Sequence, residues 1–358
     1  MNESRRNQVS LRGASTKEIT RDALLDRVNQ ERELRNYARR AKAAALLIQR
    51  VWRRHHAVES AALRLREEWE MMITSRSGSL TGMQMSREIL RPFLFFINYL
   101  SVRLRRIGAR DRDCMISCFR IVLDDITSND VRQSFCSLTI GSTDERKLWF
   151  HQSKKLISVC LFVLSLFDYS HPRVQDVVLT SIAMRLSVIL TDPKGWNHIP
   201  PNGQKDANTA VKNLVKFVGS KRSGLYNCIR KFILTLEAPF SSQELQTDDR
   251  FAIVASAITL SLRPFHLTNI DINDKGMMES AIEQYCISLL TIPWFPQRLP
   301  AILVPALRHK SVLSPCLRTL LVRIGHSEKL LTMSKAFFWS RDVFASLSNF
   351  HNMLLHHN

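Results

Sequence analysis

AKAAALLIQRVWRRHHAVESAALRLREEWEMMIT, residues 41–74 of a 358-residue chain, contains neither glycine nor proline and is built largely from alanine, leucine, arginine and glutamate. These side chains lose little freedom in a helix, so the stretch favours helix before any tertiary contact is considered. The Gly- and Pro-free run reaches back to Thr16, and Ser15-Thr16-Lys17-Glu18 has the spacing of a capping box. In such a box Ser15 accepts from an orphan amide and Glu18 reaches back to the Ser15 amide. The spacing predicts a long amphipathic helix over 16–75, straight or bent once, of about 85 Å. Residues 1–15 are read as a flexible basic N-terminus. Ser75-Arg76-Ser77-Gly78-Ser79 is the stop signal.

Within the helix Ala44, Leu47, Val51, His55, Val58, Ala62, Leu65 and Trp69 recur at intervals of three and four, a single apolar stripe that Ile48 and Trp52 widen. Two readings of the stripe stand side by side. In one it packs on the chain's own core while the arginines are solvated. In the other it is a docking face. Ile48, Gln49 and Arg53 occupy the aliphatic, glutamine and first basic positions of an IQ motif, but Arg54 replaces the usual glycine and Val58 the last basic residue. The candidate partner-binding residues are therefore Leu47, Ile48, Gln49, Val51, Trp52, Arg53 and Arg54. Calmodulin or a calmodulin-like protein suits them: Ile48 and Trp52 fill pockets of a methionine-lined groove, while Arg50, Arg53 and Arg54 meet its carboxylates.

Charge supports a protein partner over the alternatives. Residues 1–66 carry 16 Lys+Arg and 7 Asp+Glu, a net of +9 out of the chain's +19. A basic segment of this kind can also meet nucleic acid or an anionic membrane. Nothing interleaves these cations with a run of aromatics for base stacking, and no recognised nucleic-acid module surrounds them. Glu59, Glu67, Glu68 and Glu70 turn the distal part acidic, which argues against a membrane-surface helix. Neither nucleic acid nor membrane is expected as a partner. The longest apolar run, 156–167, has 12 residues, short of the roughly 20 a membrane span needs. The polar, charged beginning of the chain lacks the apolar stretch of a secretory signal. Seven cysteines, odd in number and mostly set in apolar runs, read as reduced core thiols. A soluble protein of the cytoplasm, with the nucleus as a second compartment, is expected.

Hydrophobic residues at 45% and charged residues at 23% are ordinary globular usage, so most of the chain can bury a core. With 45 Leu against 11 Gly and 12 Pro, helices are favoured over turn-dense β structure. From Ser86 onward apolar segments of helical length are separated by short breaks. They are read as 91–107 with Pro92 in the first turn, 111–126, 143–169 behind the capping box Ser142-Thr143-Asp144-Glu145, and 174–190. After a loop over 196–203 come 207–218, 225–236, 251–262, 277–290, 299–307, 312–324 and 330–355. Helices at this density without strand alternation predict an all-α fold: the long basic N-terminal helix, then a HEAT- or armadillo-like stack over 86–358. No residue signature repeats at fixed period, and an irregular helical bundle is the other arrangement open to it.

The order of segments in the N-terminal helix also carries a likeness. Val9-Ser10-Leu11-Arg12-Gly13-Ala14-Ser15, Arg21-Asp22-Ala23-Leu24-Leu25, Gln30-Glu31-Arg32-Glu33-Leu34-Arg35 and Ile48-Gln49-Arg50-Val51-Trp52-Arg53, in this order, resemble the N-terminus of IQ-motif-containing HECT-type ubiquitin-protein ligases. The resemblance covers residues 9–72, and the remainder of the chain is similar to the helical region behind the motif in that family. It implies ubiquitin transfer from a conjugating enzyme to protein substrates in the full-length protein. There the work is done by a C-terminal α/β HECT domain about as long as this whole chain, through an acceptor cysteine that forms a ubiquitin thioester. The family sets Thr before that cysteine and Phe-Asn after it. Cys316 lies in Leu313-Ser314-Pro315-Cys316-Leu317-Arg318 and departs from that pattern on both sides, so it is read as a core thiol and not the nucleophile. The resemblance thus implies a non-catalytic N-terminal regulatory and scaffold region. A free-standing calmodulin-binding helical adaptor is the alternative.

Other chemistry is sparse. Cys114 and Cys118 lie one turn apart, with no second Cys or His pair in sequence to complete a metal site. His351, His356 and His357 cluster near the end without an orienting carboxylate. Lys194 and Gly195 lack the preceding glycines of a phosphate loop. No catalytic residue, cofactor or metal is expected.

Overall fold

The computed structural model describes residues 21–75, 78, 80–127, 134–196, 199–237, 249–266 and 275–330. Among them every regular element is helical and there is no strand. The expected capping box at 15–18, the helix over 330–355 and the C-terminal histidines lie outside the described residues. The chain divides into two compact units, residues 1–60 and 61–358, a boundary that falls within the first helix.

α1 spans Arg21–Thr74. It ends where the sequence loses its helix formers: the Ser75 amide and hydroxyl both donate to the Met71 carbonyl, at 3.0 and 2.9 Å. Gly78 then adopts a φ of +121°, which side chains rarely tolerate. In the first unit residues 22–57 of α1 are exposed around the whole helix. In the second unit the C-terminal turns of α1 enter the core through Ala62 and Trp69. Trp69 donates from Nε1 to the Ile89 carbonyl at 3.1 Å and packs its ring near Phe93 and Phe96.

The next helical run starts earlier than the sequence pattern predicts. It begins with α2, Gly82–Gln84, behind a capping box in which Thr81 Oγ1 accepts from the Gln84 amide and Gln84 Oε1 accepts from the Thr81 amide. A Cβ on Gly82 would overlap the Ser134 carbonyl oxygen, so only glycine fits there. A π turn, Met85–Leu90, leads into α3, Arg91–Ile97, and a second, Asn98–Val102, follows it. Pro92 therefore does not open the helix. It sits just behind a widened turn that gives its ring room and needs no N–H from it.

α4, Ala109–Thr127, and α5, Thr143–Leu166, follow. The Ser142 box at the head of α5 forms as expected, with Ser142 Oγ accepting from the Glu145 amide and Glu145 Oε2 accepting from the Ser142 amide. α5 stops at Leu166, short of Tyr169, because Phe167 turns extended and the Asp168 carboxylate takes the Ser170 amide at 3.0 Å. α6 occupies Val174–Leu190 as predicted. Pro193–Gly195 and Pro201–Gly203 are 3-10 turns within the expected loop. Then come α7 (Gln204–Gly219), α8 (Leu225–Leu234), α9 (Asp249–Leu262) and α10 (Lys275–Ser288). Gly224 opens α8 with a φ of +72°. Prolines at 300 and 305 split the segment expected over 299–307 into a 3-10 turn, Ala301–Leu303, and the short α11, Val304–Arg308. α12 runs Lys310–Leu330 and holds Pro315 within it.

Helices two or three apart in the chain lie side by side. α4 packs on α6 and α6 on α9, forming one layer. α3 packs on α5, α5 on α7 and α8, those two on α10, and α10 on α12, forming the other. Pairs such as α5 with α6 and α8 with α9 bridge the layers. The second unit is thus an irregular all-α stack of helical pairs. Aromatic contacts mark its core, among them Phe93 with Phe119, Trp149 with Trp196, and Tyr226 with Tyr285.

Candidate functional site

α1 carries all seven IQ-motif residues in its exposed portion. Leu47, Ile48, Val51 and Trp52 are 61%, 68%, 60% and 64% exposed, and Gln49, Arg53 and Arg54 are exposed with them. Residues 47 and 51, and 48 and 52, are four apart, so the four apolar side chains form one face, with Arg50 and Arg54 beside it and Arg53 on the far side of the helix. The Trp52 ring stacks on His56 at 5.7 Å between centroids, its indole still open to solvent. His55 Nδ1 lies 3.8 Å from the Glu59 carboxylate one turn on.

The apolar stripe read from the sequence is one line along the helix but has two environments. Ala44, Leu47, Val51 and His55 are exposed, Val58 is half-buried, and Ala62, Leu65 and Trp69 belong to the core. The core-packing reading therefore describes its C-terminal part, and the part over 44–55 is exposed. The glutamates further along are divided in the same way. Glu70 receives hydrogen bonds from Arg110 and from Cys114 Sγ, the latter at 3.3 Å. Burial works against its charge, yet these donors outweigh it and hold its pKa below the usual carboxylate value. Next to it, Arg66 Nη1 donates to Asp111 Oδ1 at 2.9 Å, and Ser101 Oγ donates to Asp111 Oδ2 at 2.7 Å. The sequence showed these residues only as charges on a rod, and their partners come from helices distant in sequence.

None of the cysteines with a displaced pKa is poised as a nucleophile. Burial pushes Cys114 up to about 12, assisted by its bond to Glu70, and pushes Cys160 up to about 12 as well. Cys118 and Cys136 are driven up by burial, and Cys228 by the same cause to a lesser degree. Cys316, hydrogen-bonded to Cys286 and buried, lies far above the ordinary thiol range. A reactive thiolate needs the opposite, a lowered pKa and access. Cys114 and Cys118 share a helix face but point their chemistry to Glu70 and to the core, and among the described residues no group of three His, Cys, Asp or Glu could hold a metal ion. Lys194 lies in a 3-10 turn whose amide is taken by Asp192 Oδ1 at 3.1 Å. Among the described residues no helix is long and apolar enough to cross a membrane.

A feature that the sequence reading missed lies between α3 and α5, where a cavity of about 590 Å³ is lined by cations and aromatics. Its sequence signal was faint: Ser86, Gln152 and Ser153 are polar residues at helical spacing from the buried Ile89, Leu90, Trp149, Leu156 and Ile157. Compared with known proteins, the chain matches no family model, no curated protein and no solved structure.

Proposed function

We propose that this chain is a non-catalytic regulatory and scaffold region of a HECT-type ubiquitin-protein ligase, with α1 as the docking helix for calmodulin or a calmodulin-like protein. The second unit serves as a helical platform for protein substrates. The ubiquitin side of the proposal rests on the ordered segments between residues 9 and 72 that resemble that family. The docking side rests on one observation: four large apolar side chains, at 47, 48, 51 and 52, stand more than half exposed on a single face flanked by Arg50 and Arg54. Clustered exposure of this kind is characteristic of surfaces that bind. The groove that fits it is acidic and lined with adaptable methionines. Because Ala62 and Trp69 are buried, the docking segment ends near residue 58.

Titration of the full chain with calmodulin, in calcium and in chelator, tests the docking. Saturable binding is expected in at least one condition. Replacing Ile48, Gln49 and Trp52 together by Ala is expected to weaken it at least tenfold, about 1.4 kcal/mol. No binding by the wild type, or equal binding by the triple variant, would sink the docking. The ligase context has its own test in the transcribed sequence beyond Asn358. An open reading frame encoding a HECT domain with its Thr-Cys pair is expected, and a stop with no such exons would leave the free-standing adaptor instead.

A further inference from the structure

The cavity between the segment 86–102 and α5 has the attributes of a ligand site, and none of its lining residues belongs to α1. Its volume, about 590 Å³, falls within the range of small-molecule pockets. Its first wall is formed by the two π turns and the α3 helix between them. Such turns disturb the backbone ladder and are frequent at functional positions. The Ser86 carbonyl accepts from Arg91 N–H in the π pattern and also from Gln152 Nε2 at 3.0 Å, which ties this wall to α5.

Two buried polar atoms on the lining residues lack partners. Ser86 is fully buried and Gln152 is 4% exposed, yet Ser86 Oγ and Gln152 Oε1 have no hydrogen bond. The charge is one-sided. Arg87, Arg91 and Lys155 line the cavity and no lining residue is acidic. Among the described residues none of these three cations forms an ion pair. His151, also in the lining, has its pKa lowered by burial and by Lys155 and Lys154. Apolar surface completes the site: Leu94 and Val159 are buried, and Phe95 and Tyr99 pack with ring centroids 4.9 Å apart. Arg103 lies 4.2 Å from the Tyr99 ring centroid and holds that ring from outside.

We propose that this cavity binds a small amphipathic anion, a carboxylate or phosphate monoester on an apolar body. Arg87, Arg91 and Lys155 take the head, and the Leu94, Phe95 and Tyr99 wall takes the body. An anion in this site restores the balance that three unpaired cations lack.

Decanoate and decyl phosphate, below their micelle concentrations, are the probes, and the full chain is the sample. Each is expected to bind saturably at one site. Decanol, which lacks the charge, and inorganic phosphate, which lacks the body, are expected to bind at least about tenfold more weakly. Arg91→Gln with Lys155→Gln, both exposed and so without effect on the fold, is expected to lose at least tenfold in probe affinity. Arg53→Gln with Arg54→Gln on α1 is expected to lose nothing. The His151 resonance, assigned through His151→Gln, is expected to titrate at higher pH with decyl phosphate bound, because the anion offsets the neighbouring lysines. Decanol binding as tightly as decanoate, indifference to the Arg91 and Lys155 changes, or an unmoved His151 titration would each overturn the proposal. Attachment to phosphatidic-acid vesicles without binding of the free probes would overturn it in favour of a membrane surface.

Discussion

Trp52 and Trp69 share one helix and one apolar stripe, yet the first is 64% exposed and the second 3%. Trp69→Ala removes a ring packed among phenylalanines and leaves the Ile89 carbonyl without its donor, and large-to-small changes of this kind cost about 3–5 kcal/mol. Trp52→Ala is expected to change stability by no more than about 0.5 kcal/mol, as at other surface positions. Urea unfolding of both variants checks the contrast, and equal losses would contradict the burial described. Asp111 is the second test. Its carboxylate accepts from Arg66 and Ser101 in a buried setting, so Asp111→Ala removes both bonds and leaves Arg66 with Glu70 at 4.0 Å as its remaining carboxylate, a loss of about 2–3 kcal/mol. Glu70 adds a pH dependence. Its folded pKa lies below the usual value, so the stability it contributes is present above pH ~4.5 and is lost as pH falls through the folded pKa. Glu70→Gln is accordingly expected to flatten the acid branch of a stability-against-pH curve. At this scale the sequence told little. Periodicity places Ala62 and Trp69 on the stripe of Leu47 and Val51, and nothing local states which end of a stripe meets a core.

Elements were far more legible, wherever their ends are set by local chemistry. Ser142 and Glu145 cap α5 through bonds that involve only residues three apart, so the start of that helix could be read directly. Ser142→Ala is expected to cost about 1 kcal/mol, a typical value for a lost N-cap, measurable by thermal or urea unfolding, with Ser142→Asp nearly neutral. Val174–Leu190 was equally plain, held between His171-Pro172 and Asp192-Pro193. The run over 82–102 was not. Thr81 and Gln84 form an equally regular box, but Gly82 inside its first turn reads as a break, and only the approach of the Ser134 carbonyl shows why glycine stands there. The π turns leave no mark in a period-3.6 pattern, since apolar residues remain near enough to helical spacing. The cavity that they border was invisible for the same reason. It is built by residues from two helices, and the unpaired Ser86 and Gln152 atoms emerge only once α5 is packed against the 86–102 wall.

For the whole molecule, composition was enough to establish an all-α chain, and the density of helices led to a stack, but the pairing order was beyond it. Layers in which α4 meets α6, and α6 meets α9, depend on loops and core shapes that no fixed-period signature announces. The same scale decides how much of α1 the fold needs. Residues 22–57 contribute no buried side chain, whereas 62–73 supply Ala62 and Trp69 to the core, with Leu65, Met72 and Ile73 packed against it and Arg66 bonded to Asp111. A chain starting at Ala61 should therefore fold, and its urea midpoint should match that of the full chain, because none of the described residues it loses is buried. A chain starting at Ser75 loses the Trp69 cluster, leaves Asp111 with Ser101 alone, and removes the indole donor from the Ile89 carbonyl. The losses belong to one packed region and need not add, but any one of them is a large part of a domain's ~5–15 kcal/mol stability. That shorter chain is expected to unfold at much lower urea or to be recovered unfolded. Since the exposed segment 41–58 is absent from both truncated chains, neither should bind calmodulin, whereas decyl phosphate should still bind the chain from Ala61. Retained calmodulin binding in the Ala61 chain would move the docking site off α1, and a collapse of that chain would show that the fold relies on residues with no buried side chain.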